Sequence, residues 1–193
     1  MASDTRDRLV RATSRLLRRQ GYAATGLNEV MAEADAPKGS MYFHFPGGKE
    51  QLAAAAVDHF AERVTARLLR FLDENDTVAG AVAAIFDSYV DHLERTGYAE
   101  GCAVATVALD AAPAHEALAD ACSRAIRAWT GVLAGALEAE GRPTGEAHGL
   151  ATLVIAAIEG TIVMAKAERS TEPITGARDT LRALLVPVGA PTA

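Results

Sequence analysis

With 193 residues, the chain is long enough for one medium domain or a small domain joined to a larger one. It is half hydrophobic but only 5% aromatic, so its core must be built from Ala, Leu, Val and Ile, which favours helix and excludes a strand-rich fold. The net charge of −6 does not exclude a nucleic-acid partner, because residues 1–60 carry eight Lys and Arg against seven Asp and Glu, whereas the remaining 133 carry eleven against eighteen.

In chain order, a first helix is expected from about Asp4 to Gln20. Leu9, Thr13, Leu16 and Leu17 fall on one face, and Arg11, Arg15 and Arg18 fall on a solvated face opposite. Gly21 supplies its stop. Thr25 can cap a short second helix, Leu27 to Ala34, with Leu27, Val30 and Met31 inward. Asp35-Ala36 is a tight turn, where Asp tolerates the left-handed backbone better than most residues. Pro37 suits the first position of a third short helix, Lys38 to Phe45, because its missing N–H is an orphan there anyway.

After Pro46-Gly47-Gly48, a long helix starts near Lys49 and fades at the polar run 73–76. Val78, Val82, Ile85, Phe86, Tyr89, Val90 and Leu93 define an amphipathic helix closed by Gly97 and Gly101. A short apolar segment, Cys102 to Ala111, precedes long helices over Pro113 to Glu140 and Glu146 to Ser170. A last helix spans Thr175 to Val186, with Leu181, Leu184 and Leu185 on one side. The tail after Pro187 is expected to be disordered.

The two cysteines, Cys102 and Cys122, form no disulfide framework, which points to a reducing compartment. The N-terminal segment MASDTRDRL has no apolar signal core. The apolar stretch Leu150 to Ala165 is interrupted by Glu159 and Gly160, so no membrane span is expected. A cytoplasmic protein follows as the expectation.

The second and third helices with their turn form a helix-turn-helix pattern, in which the second member is short enough to sit in a DNA major groove. That member opens with a cation, a residue that permits close backbone approach, and a hydroxyl: Lys38, Gly39 and Ser40. Tyr42, Phe43 and His44 follow on consecutive positions. Phe45, and Tyr42 in part, suit the core. The remaining aromatic surface is hard to explain as a solvated face and easier as one that meets phosphates and base edges. No second His or Cys stands at ligand spacing from His44, so no metal site is expected.

Thr25, the run ADAPKGSMYFHFPGGKEQL (Ala34 to Leu52) and the amphipathic helix before it resemble the DNA-binding domain of the TetR family. The form APKGSxYxHFPGGK, with GCAVATVALDAA at Gly101 to Ala112, is similar to the LmrA/YxaF-type group. The resemblance implies an all-α fold of about nine helices. A three-helix DNA-binding domain would occupy residues 1–48, its linking helix starting here and reaching about 60. A larger ligand-binding and dimerisation domain would occupy 49–187, with a tail at 188–193. It also implies roles for eight residues. Thr25 and Tyr42 would bond phosphates, Lys38 and Gly39 would approach base edges, and Ser40 and His44 would contact phosphates. Lys49 would add a phosphate contact at a helix N-terminus. Phe43, which lacks a hydroxyl, would pack on sugar or on a thymine methyl.

Residues 61–193 hold no nucleophile elbow, phosphate loop or H-E-x-x-H, so neither an enzyme nor a cofactor is expected. The helix carrying Leu150 to Ala165 is apolar nearly all round and must be covered on both sides. A second copy is the natural cover, giving a two-fold interface with Leu150, Leu153, Ala157, Gly160, Leu181 and Leu184 as candidates. A small-molecule pocket between the long helices has Phe86, Tyr89, His92, Cys102, Trp129, Glu159 and Met164 as candidate lining, though the aromatics and Met also suit plain core. Glu159, inside an apolar helix, needs a partner, from the protein or from a ligand. These features predict a homodimeric, ligand-responsive regulator, most simply a repressor, with operator DNA, an effector and itself as partners. The alternative is a ligand-binding or protein-interaction module whose helix pair is structural.

Overall fold

The computed structural model describes residues 2–37 and 39–186. Lys38 and the tail 188–193 lie outside the described residues. Among those described, the regular elements are all helical. They are α1 (Ala2–Ala24), α2 (Leu27–Glu33), α3 (Ser40–His44), α4 (Gly48–Glu74), α5 (Val78–Arg95), α6 (Ala103–Asp110), α7 (Glu116–Ala139), α8 (Thr144–Glu168) and α9 (Glu172–Leu184), with a 3₁₀ turn at Ala112–Ala114.

Three local expectations change. Gly21 does interrupt the helix, at φ 78° and ψ −178°, but helical hydrogen bonding resumes beyond it to Ala24. The N-cap of α2 is Gly26 rather than Thr25, whose hydroxyl instead donates to the Gly21 carbonyl at 2.6 Å. Pro37 stands outside α3. Its carbonyl accepts both the Ser40 N–H and the Ser40 hydroxyl, so the helix starts later than the proline suggested. Asp35 takes the left-handed conformation expected of it, at φ 47°.

The chain forms two compact units, and their limits are not those of the sequence. Among the described residues, 2–37, 39–63 and 100–126 make the first; 64–99 and 127–186 make the second. The boundary expected near residue 48 marks where α3 gives way to α4. Packing instead gathers α6 into the N-terminal unit.

In the first unit, Leu9, Val10, Ala12 and Leu16 of α1 close on Val30 of α2 and on Ala34 just after it, on Met41 of α3, on Phe45, and on Leu52 of α4. Helix α6 packs along α1. Arg18, expected on a solvated face, is half-buried. Its Nε donates to the Gly101 carbonyl, a second guanidinium nitrogen meets Glu100 at 3.1 Å, and the Gly101 N–H returns a bond to the Arg18 carbonyl. Arg11 and Arg15 stay exposed, Arg15 paired with Glu33.

In the second unit, α5 and α8 both pack against α9 and against each other. Phe86, Leu93, Trp129, Leu133, Leu137, Val154, Ile158 and Ile174 are buried there. The N-terminus of α5 is closed twice: Thr77 Oγ1 accepts the Gly80 N–H, and the Glu140 carboxylate accepts the Val78 N–H at 2.7 Å. Helix α8 is long and apolar enough to cross a membrane by length and composition. One of its faces (Ala147, Ala151, Val154, Ile158, Ile162, Ala165) is buried within its own unit. The other, with Leu153, Ala156, Gly160, Val163 and Met164, is exposed.

Candidate nucleic-acid interface

Helix α3 is five residues long, and its two fully buried neighbours, Met41 and Phe45, are four apart, which fixes which side faces inward. Tyr42 and Phe43 are thereby turned outward, 61% and 77% exposed. Ser40 is half-buried, and so is His44, whose ring meets the Phe43 ring edge-on with centroids 5.0 Å apart. Gly39 is exposed with an ordinary backbone conformation, φ −77°, and a Cβ added there would meet nothing within 4 Å. The fold itself does not require glycine at this position.

An open groove runs beside this surface, lined by Ala23, Thr25, Gly26, Leu27, Asn28, Met31, Met41, Tyr42 and Lys49. The structure thus brings together three residues singled out from the sequence, Thr25, Tyr42 and Lys49, though not in equal readiness. Thr25 is only 2% exposed and its hydroxyl is spent on Gly21, so in this conformation it offers no donor to a phosphate. The physical reason is that the kink at Gly21 leaves a carbonyl for Thr25 to satisfy.

Lys49, near the start of α4, extends over the Tyr22 ring, its Nζ 4.3 Å from the centroid and 3.4 Å from the Ala23 carbonyl. Burial lowers its pKa, and the Asp110 charge works the other way. Burial, then Glu50, raises that of Tyr22. Tyr22 also takes the His115 ring edge-on, and His115 Nδ1 lies 3.1 Å from the Glu50 carboxylate.

Sequence reasoning found Gly21 but missed the residue that fixes the backbone around it behind this groove. Asp110, the last residue of α6, accepts the Ala23 N–H, and a Cβ on Gly21 would lie 2.9 Å from the same carboxylate. No signal in the sequence links positions 87 residues apart.

The other candidates are placed as follows. Phe86, Trp129 and Cys102 are buried, Cys102 in the first unit and the other two in the second. Tyr89, under the Arg67 guanidinium, and His92, beside Arg95, are half-buried, as is Glu159. Met164 is 50% exposed on the outward face of α8 and does not line the interior of its own unit; the helical period places it there beside Val163. Of the interface candidates, Leu153, Gly160 and Leu184 are exposed and Leu150 and Ala157 half-buried. Leu181 is 4% exposed, turned into its own unit because α9 packs that side on α5 and α8.

Comparison with known proteins agrees with this arrangement. Residues 9–56 match the family described as bacterial regulatory proteins, tetR family, and residues 78–180 the transcriptional regulator LmrA/YxaF-like, C-terminal domain. The HTH-type transcriptional regulator LmrA of Bacillus subtilis is 33% identical over 171 residues, covering 89% of this chain and 91% of that protein. YxaF of the same organism, also named an HTH-type transcriptional regulator, is 33% identical over 89% of this chain and 90% of its own length. Among solved structures, a TetR transcriptional regulator from Chloroflexus aurantiacus superposes with a TM-score of 0.80 at 29% identity over 94% of each chain. The reduced form of Escherichia coli NemR shares the fold, with a TM-score of 0.82 at 23% identity over 97% of this chain and all of that one. These relatives are named as transcriptional regulators. The chain belongs to the TetR family of transcriptional regulators, in the group with an LmrA/YxaF-like C-terminal domain.

Proposed function

We propose that the protein is a cytoplasmic homodimeric repressor that binds a palindromic operator through the outward face of α3 and is released by a small, largely hydrophobic effector. The observation that carries the DNA reading is the exposure of Tyr42 and Phe43 beside a glycine, Gly39, that the protein's own packing does not demand. Tyr42 and Lys49 hold the phosphates through the groove they share, Ser40 and His44 add contacts at the edge of α3, and Gly39 lets the backbone reach the base edges. Lys38 supplies a cation that approaches the base edges.

Dimerisation uses the outward face of α8, where Leu153, Ala156, Gly160 and Val163 recur at intervals of three and four and the small residues permit close helix approach. Leu184 of α9 extends that face. In the DNA-competent dimer the two α3 helices stand about 34–36 Å apart, matching successive major grooves. An effector held in the second unit, near Phe86, Tyr89, Trp129 and Glu159, shifts the population away from that spacing.

The test is selection of duplexes from a random-sequence pool by the full-length protein, followed by titration of the winner at several salt concentrations. The expected result is a palindrome bound with steep salt dependence, with affinity lost in a protein carrying both Lys38→Ala and Tyr42→Phe. Selection of no duplex, or binding indifferent to those substitutions, refutes the reading.

A further inference from the structure

We propose that Phe43 reads the 5-methyl group of a thymine in the operator, making it a determinant of sequence preference rather than of general DNA affinity. This rests on the DNA-binding reading above. On a helix, residues two apart point to nearly opposite sides. Met41 and Phe45 are both fully buried, so Phe43, two residues from each, stands diametrically outward. No rotation of α3 that keeps those two in the core can bring Phe43 under cover. Its ring, 77% exposed, is held edge-on against His44, so it is presented rather than folded back.

A phenyl ring has no hydrogen-bond donor or acceptor. It has nothing to offer a phosphate oxygen, a purine N7 or O6, or a cytosine amino group. The apolar group that the major groove displays on a base edge is the thymine methyl. Position 39, one helical turn before Phe43 and on the same side, is glycine, with an ordinary φ and open space around a built Cβ. The side of α3 that carries the ring therefore has no side chain one turn earlier to hold the backbone off the groove floor, and the ring reaches the depth at which methyls lie. Tyr42, with its hydroxyl and its place in the groove with Lys49, takes the phosphate side of the contact.

The test uses the palindromic duplex recovered by in vitro selection with the full-length protein, and the same duplex with deoxyuridine in place of thymine at each symmetric pair of positions. Deoxyuridine removes the methyl and leaves every hydrogen-bonding edge unchanged. Burial of one methyl corresponds to about fourfold in affinity per half-site, or roughly fifteenfold for the pair. The wild-type protein is expected to weaken by that much at one symmetric pair. Phe43→Ala is expected to bind the thymine and deoxyuridine duplexes equally and to keep its salt dependence. Since the ring is exposed, the variant folds, which its thermal unfolding checks. The proposal is overturned by a half-site without thymine, by a wild-type protein indifferent to deoxyuridine everywhere, or by a Phe43→Ala protein that retains the full effect. A wild-type protein that selects no duplex at all refutes the DNA-binding reading itself, and this proposal with it.

Discussion

The carboxylate of Asp110 accepts the backbone N–H of Ala23 at 2.8 Å, fastening the end of α6 to the kinked end of α1. The contact works because Gly21 occupies a backbone region essentially closed to other residues and has no Cβ to meet that carboxylate. Gly21→Ala should therefore destabilise the protein by about 1–3 kcal/mol from backbone strain, before any clash is counted. Asp110→Ala alone should cost about 0.5–1.5 kcal/mol, since solvent partly replaces the lost acceptor. In the double variant the strain persists, so Asp110→Ala cannot fully rescue Gly21→Ala. Urea unfolding followed by helical circular dichroism decides this, and an unchanged midpoint for Gly21→Ala would refute it.

Leu181 and Leu184 sit one turn apart on α9 yet face opposite environments. Leu181→Ala should cost about 2–5 kcal/mol in unfolding free energy, as expected for truncating a buried leucine. Leu184→Ala should leave the unfolding free energy of the monomer within about 0.5 kcal/mol of wild type, as exposed substitutions do. Only Leu184→Ala should shift a concentration-dependent association measured by sedimentation.

A charge on the outward face of α8 tests the dimer directly. Leu153→Arg should leave the monomer folded, because the side chain is exposed, and should yield a monomer at micromolar concentration. Operator affinity should then fall by roughly a hundredfold or more, as the two half-sites are no longer engaged together. Analytical ultracentrifugation and anisotropy titration read the two effects; a Leu153→Arg protein that remains dimeric would remove α8 from the interface.

Burial, then the charge of Asp58, pushes the Cys122 thiol up to about 11. In the unfolded chain the thiol loses its proton at a lower pH, so in the window between, the unfolded state binds fewer protons than the native state. That thiol's contribution to stability is thus complete below the unfolded pKa and is lost as pH rises through the native one. Cys122→Ala should flatten the decline in stability above pH ~9. The native wild-type thiol should react slowly with an aromatic disulfide reagent at pH ~8 and promptly once unfolded.

Lys49 and Phe43 should separate in a specificity assay. Lys49→Ala is expected to weaken binding about equally across all duplexes and to lower the salt slope by about one per protomer. Phe43→Ala should leave that slope intact. A Lys49→Ala protein with an unaltered salt slope would place its ammonium away from the phosphates.

Local pattern carried the helical content, the breaks at Gly21 and Gly97 and the short pair α2–α3, because helical period and chain-breaking residues act over a few positions. Tyr42, Phe43 and His44 stood out in the sequence because three consecutive aromatic side chains on a five-residue helix cannot all be buried. Tertiary packing decided what lies many residues apart: that Arg18 is clamped by Glu100 and Gly101 instead of solvated, and that Met164 faces out and Leu181 in. A helix apolar all round, such as α8, carries no periodic mark of its inner side. Which half of it is covered by its own chain is settled by where α5 and α9 pack, and that choice exists only in three dimensions.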